Sequence, residues 1–113
     1  MITALACSLV GQTHAVTLAD GSLAARLYGR HEVQEDYYCN YGLNPAYRAG
    51  LERAGLRVSG VGSDGEVRLI EMPSHPFFVN ALFLPQSRSA PERPHPLLAG
   101  WAAAATHARA GAR

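Results

Sequence analysis

Two thiols, Cys7 and Cys39, are the side chains best suited to covalent chemistry in this chain. A thiolate is a nucleophile, and its surroundings set how much of it forms. Cys39 stands in Tyr37-Tyr38-Cys39-Asn40-Tyr41, whose hydroxyl and amide groups can donate hydrogen bonds to sulfur. Such donors lower a thiol pKa. Glu35 and Asp36 just upstream oppose this with negative charge, so the local sequence predicts only a modest depression. The plainer reading of Cys39 is a half-buried strand cysteine, because cysteine is so often core. Cys7 lies in an apolar run and reads first as core. Two cysteines make no disulfide framework, and without a CxxC pair no zinc site is expected. No metal or cofactor is expected. Of the five histidines, His75 in Ser-His-Pro and His95 in Pro-His-Pro read as turn-stabilising or surface residues. His14 and His107 read as ordinary. His31, in the polar segment before Cys39, is the one histidine to test as a general base. Arg88 and Arg93 read as solvated or as loop caps.

The elements that would position these groups follow from periodicity and turn chemistry. Residues 3–10 read as a buried strand and residues 14–18, HAVTL, as a second one. Ala19-Asp20-Gly21-Ser22 is a turn; residues 22–28 fit a short helix or a strand. If residues 37–41 form a strand, Tyr37, Cys39 and Tyr41 share one face, with Tyr38 and Asn40 on the other. Asn44-Pro45 is a helix start, with Asn as N-cap and Pro first in the helix. Tyr47, Leu51 and Ala54 recur at helical spacing, and Gly55 sits at the C′ position. Residues 56–61 and 66–72 read as strands joined by the hairpin turn Gly62-Ser63-Asp64-Gly65. After a break at 73–76, residues 77–84 read as a buried strand. A Pro-rich loop over 85–96 leads into a helix from Pro96 to His107, with a frayed tail beyond it.

The composition sets the class. At 113 residues the chain holds one domain with one modest core. An apolar fraction of 48% argues for a globular fold rather than disorder. A formal net charge of +1, with the arginines scattered, favours neither nucleic acid nor an anionic membrane. All ten basic residues are Arg, which reads as a GC-rich genome. The opening run, residues 2–11, lacks a basic n-region and is too short to span a bilayer. A soluble cytoplasmic protein is the expectation.

Three strings carry a resemblance: "DGSLAARLYG", "NPAYRAGLERAGLRVSGVGSDGEVRLIEMPSHPFFV" and "SAPERPHPLLAGW". Together they resemble the C-terminal half of the glutaminase domain of CTP synthase, over roughly residues 4–105. That domain belongs to the class I glutamine amidotransferases. The resemblance implies an α/β fold: part of a flavodoxin-like, three-layer amidotransferase domain, its second half only, with residues 1–113 as a single truncated domain. It also implies that an open sheet edge and an apolar face need covering by a second copy or a partner subunit. The motifs ACSLVG, CNYGLNP and LFLPQ are further similar to a bacterial group described as CTP synthase C-terminal region-related (seleno)proteins, some with selenocysteine where a reactive cysteine would stand.

In the family, a Cys on a G-x-C-x-G turn attacks glutamine, and a His-Pro-Glu motif supplies the base and its orienting carboxylate. The matching positions here read Leu84-Pro85-Gln86, and neither cysteine has the flanking glycines. The family's basic stretch R-H-R-H-R-Y-E-V-N, which helps hold glutamine, matches residues 36–44 only at Tyr41 and Asn44. Glutaminase activity is therefore expected to be absent. Two function classes follow. The first is a non-catalytic protein that binds a small polar ligand or a partner, with Asn40, Tyr41 and Gln86 as candidate ligand-binding residues. The second is a thiol-dependent enzyme that reuses the old glutamine pocket, with Cys39 and Cys7 as candidate catalytic residues. In the family the strand matching Cys7 runs near the segment of Cys39, which leaves a transient Cys7–Cys39 pair open. The tyrosines 37, 38 and 41 read mainly as packing, with one able to line a pocket.

Overall fold

The computed structural model describes residues 1–5 and 8–111. Its strands are β1 (Ile2–Ala4), β2 (Gln12–Leu18), β3 (Glu32–Tyr37), β4 (Tyr41–Leu43), β5 (Arg57–Gly62), β6 (Val67–Glu71) and β7 (Val79–Ala81); its helices are α1 (Leu23–Tyr28), α2 (Arg48–Arg53) and α3 (Pro96–Gly111). Five strands form one sheet in the order β3-β2-β5-β6-β7, and β1 pairs with β4 separately. Every pair is antiparallel. The fold is α/β. The sheet curls, because the segment leaving β7 returns to β3, where the Leu84 N–H donates to the Asp36 carbonyl at 2.9 Å.

Alternation sets the faces. In β2, Val16 and Leu18 are buried while Thr17 is exposed; in β3, Val33, Glu35 and Tyr37 are buried while Glu32 and Gln34 are exposed. Val16, Leu18, Val33 and Tyr37 join Ala24, Leu69, Phe83 and Leu97 in one core. The ambiguous segment at 22–28 is a helix. The Ser22 side chain accepts the Ala25 N–H, and Gly29, at φ 71°, ends the helix. Asn44 caps as expected, accepting the Ala46 N–H at 3.0 Å, although the first turn is 3₁₀ (Pro45–Tyr47) before α2 begins. Gly55 has the positive φ, 103°, that a C′ residue needs. At Gly100 in α3 a Cβ would lie 2.7 Å from the Leu27 side chain, so glycine lets α3 approach α1 closely.

Four element readings are corrected. The strand expected over 3–10 is only β1, largely exposed, with residues 6–7 outside the described set. The strand expected over 77–84 shrinks to Val79–Ala81, between Pro76 and Pro85, with the Leu82 N–H still donating in register to the Arg68 carbonyl at 3.0 Å. Tyr37, Cys39 and Tyr41 do not share a face. The chain leaves the main sheet after Tyr37 and enters the small one at Tyr41, so Tyr37 is 1% exposed and Tyr41 60%. The C-terminal segment stays helical to Gly111, since alanines dominate it.

Candidate functional site

The 38–40 segment between the two sheets is held by its backbone. The Leu9 N–H donates to the Cys39 carbonyl at 3.0 Å, and Leu5 N–H to the Asn40 carbonyl at 2.8 Å. Cys39 is half-buried and packs against the core. Asn40 and Tyr41 point toward solvent. Burial pushes the Cys39 thiol up, and the nearby Arg68 guanidinium pulls it back in part. The expected depression is thus reversed. Desolvation disfavours the thiolate, and it outweighs the other effects even though Glu35 and Asp36 are bonded elsewhere. Arg68 is itself buried, 5.6 Å from the Tyr37 ring centroid, and paired with Asp64 at 3.1 Å and Glu66 at 3.3 Å. Tyr37 has a buried hydroxyl without a hydrogen-bond partner among the described residues. Burial pushes its phenol up to about 12, against the pull of Arg68. Cys7 lies outside the described residues.

The Leu84-Pro85-Gln86 stretch forms the start of a 3₁₀ turn, Pro85–Arg88. Asp36 anchors that turn. Its carboxylate accepts from the Thr13 hydroxyl at 2.7 Å, the Ser87 hydroxyl at 2.8 Å and Arg88 Nε at 3.2 Å. Led by the Thr13 and Ser87 bonds, these contacts hold its pKa below the usual carboxylate value, although partial burial opposes them. Arg88 is therefore a loop anchor. Gln86 is exposed, at the rim of a cavity of about 320 Å³ whose apolar walls include Phe77, Phe83, Leu97 and Trp101. Cys39, Asn40 and Tyr41 are not among its walls. The residues singled out from sequence thus fall into two places: Cys39, Asn40 and Tyr41 on the crossover segment, and Gln86 on the loop groove.

His31 does not serve Cys39. It pairs with Asp20 at 2.8 Å, both exposed, before the start of β3. Cys39 lies past the other end of that six-residue strand, about 20 Å away at ~3.3 Å per residue. The feature that sequence reasoning missed is a buried polar cluster. Glu35 from β3, Tyr28 from the end of α1 and His95 before α3 converge, with Glu35 and His95 at 1% and 2% exposure. Leu97 N–H donates to His95 Nδ1 at 3.1 Å, so the ring proton of neutral His95 sits on Nε2. That N–H donates to Glu35 Oε2 at 2.7 Å, and the Tyr28 hydroxyl donates to the same oxygen. Burial, and then the bond to Glu35, raise the Tyr28 phenol pKa far above its ordinary value. The turn-stabilising reading of His95 holds through Nδ1; the surface reading does not. No local signal marks this cluster, because its members lie 7 and 60 residues apart.

Among the described residues no cluster of three His, Cys, Asp or Glu side chains could hold a metal ion, and no helix is long and apolar enough to cross a membrane. No protein-family model matches the chain. It is 46% identical over 88 residues to a CTP synthase of Rubrobacter xylanophilus, covering 77% of this chain and 16% of that protein. It is 49% identical over 88 residues to a CTP synthase of Treponema pallidum, covering 77% of this chain and 15% of that one. The chain thus spans about a sixth of the length of the curated relatives it matches. The solved glutaminase domain of Trypanosoma brucei CTPS, with bound acivicin, superposes at a TM-score of 0.79 with 31% identity, over 88% of this chain and 40% of that one.

Proposed function

This chain is a homologue of part of the glutaminase domain of CTP synthase, and on that premise we propose that it is a non-catalytic, amidotransferase-like protein that binds a small polar ligand or a partner. The observation that carries the reading is the Leu84-Pro85-Gln86 stretch. The resemblance puts a base and its carboxylate at positions 84 and 86, but Leu84 has no proton-accepting group and Gln86 carries no charge. Asp36 holds the turn in place, so the loop persists as scaffold. Asn40, Tyr41 and Gln86 are the proposed ligand contacts, and their exposure leaves them free to engage one. The direct test is glutamate release from glutamine by the full chain against a Cys7→Ala/Cys39→Ala variant. Equal rates support the reading; faster release by the unmodified chain overturns it.

The second reading, a thiol enzyme built on Cys39, has less support, because burial raises the thiol and His31, the histidine expected to act as its base, pairs with Asp20 instead. Alkylation rates against pH separate the two. Slow reaction at neutral pH, rising only above the ordinary thiol value of about 8.5, fits the binding protein. Fast reaction at neutral pH, with protection by a ligand, fits the enzyme.

We also propose that a second copy of the chain covers the apolar face. A cavity of about 280 Å³ opens there among Leu43, Leu51, Leu56 and Leu82, with Met1 and Ile2 exposed at its rim. Light scattering that gives a dimer mass supports this, and a stable monomer at micromolar concentration overturns it.

A further inference from the structure

A separate pocket of about 320 Å³ opens between the start of α1, the start of β5 and the turn after β6. Three cationic or donor side chains line it: Arg26, Arg57 and His75. Both guanidiniums are fixed by the turn before α1. Arg26 Nη1 donates to the Gly21 carbonyl at 3.3 Å, and Arg57 Nη2 to the Asp20 carbonyl at 2.5 Å. Each spends one of its five N–H donors in this way. Among the described residues neither has a carboxylate within ion-pair distance.

His75 adds a third donor. Its Nδ1 accepts the Phe77 N–H at 3.0 Å, so the neutral ring carries its proton on Nε2. The one carboxylate in the wall is Glu71, the cross-strand partner of Arg57. Its two oxygens accept the Leu23 and Ala24 N–H groups at 2.9 and 3.2 Å. Glu71 therefore satisfies the start of α1 and offsets one guanidinium charge. What remains in the pocket is an excess of positive charge and of N–H donors, with Met72 and Pro73 as apolar walls.

An oxyanion fits that inventory. It offers acceptors to the donors, and guanidinium groups match carboxylate and phosphate geometry through paired N–H bonds. We infer that this pocket binds a small ligand through a carboxylate or phosphate group, held by Arg26, Arg57 and His75. The inference stands independently of the function proposed above.

The test is an NMR titration of the full chain at constant ionic strength, with inorganic phosphate in one arm and acetate in the other. Side-chain resonances of His75 and the arginines report binding. The expected result is a saturable shift at His75, Arg26 and Arg57. Arg26→Gln or Arg57→Gln should each weaken it about tenfold, the loss of one charge-assisted hydrogen bond. Arg93→Gln, at an exposed position away from the pocket, should leave it unchanged. Arg26 is exposed, so its variant should stay folded even if Arg57→Gln loosens the turn. Saturation by phosphate alone assigns a phosphoryl ligand, and saturation by acetate assigns a carboxylate. No saturable shift in either arm, or equal binding by Arg26→Gln, overturns the inference.

Discussion

Glu35 and Asp36 are neighbours in the chain, yet they leave β3 on opposite faces and organise two different regions. Around Glu35 the surroundings are dry. Its carboxylate and the His95 ring are almost wholly buried, and Tyr28 closes the cluster over them. Around Asp36 the surroundings are wet. Its side chain and that of Arg88 are 33% and 42% exposed, and they tie down a surface turn. One Glu35 oxygen has two donors and the other is buried without a partner among the described residues. Both Asp36 oxygens are bonded. The lesson is that carboxylate hydrogen bonds on one strand need not matter equally. Water cannot substitute for a lost partner at Glu35, whereas it can at Asp36.

The comparison can be broken most easily at its buried end. His95→Ala should cost about 3–5 kcal/mol of unfolding free energy in urea, because it removes one donor from the buried Glu35 carboxylate, leaves the Leu97 N–H without its acceptor and opens a cavity. A loss below that of an Asp36 variant would reverse the comparison.

Tyr28→Phe comes next. It removes one donor from a Glu35 oxygen that keeps the other, for a cost of about 1–3 kcal/mol. It also has a pH signature. A phenol raised by folding stabilises the native state below its unfolded value of about 10, and that contribution is lost as pH rises above it. Tyr28→Phe should therefore flatten the alkaline loss of stability seen by circular dichroism, leaving the share due to Tyr37.

Asp36→Asn should cost below about 1 kcal/mol, as suits a partly exposed network. The sign of its pH dependence is opposite. Its folded pKa is depressed, so its contribution is present above the unfolded value of about 3.9 and lost as pH falls through the folded one. The variant should lack that acid-side loss. Amide exchange should quicken over residues 84–88 and leave β2 unchanged.

The smallest effects belong to the proposed ligand contacts. Asn40→Ala and Gln86→Ala should each change stability by no more than about 0.5 kcal/mol, since both side chains are exposed. A larger loss in thermal unfolding would show that they serve the scaffold rather than a ligand.

What the sequence determined by itself was the set of local devices. Asn44-Pro45, Gly55, the Gly62–Gly65 turn and the Pro96 helix start are legible because capping, positive φ and proline geometry depend on a few adjacent residues. The relation to the CTP synthase glutaminase domain was legible for a similar reason, in contiguous strings. The tertiary structure alone decided where residues 38–41 leave one sheet for another, which undid the shared face of Tyr37, Cys39 and Tyr41. It alone buried Cys39 enough to raise its thiol, and it alone brought Tyr28, Glu35 and His95 together. Burial and long-range pairing depend on how the curled sheet closes against α1 and α3, and no window of neighbouring residues carries that information.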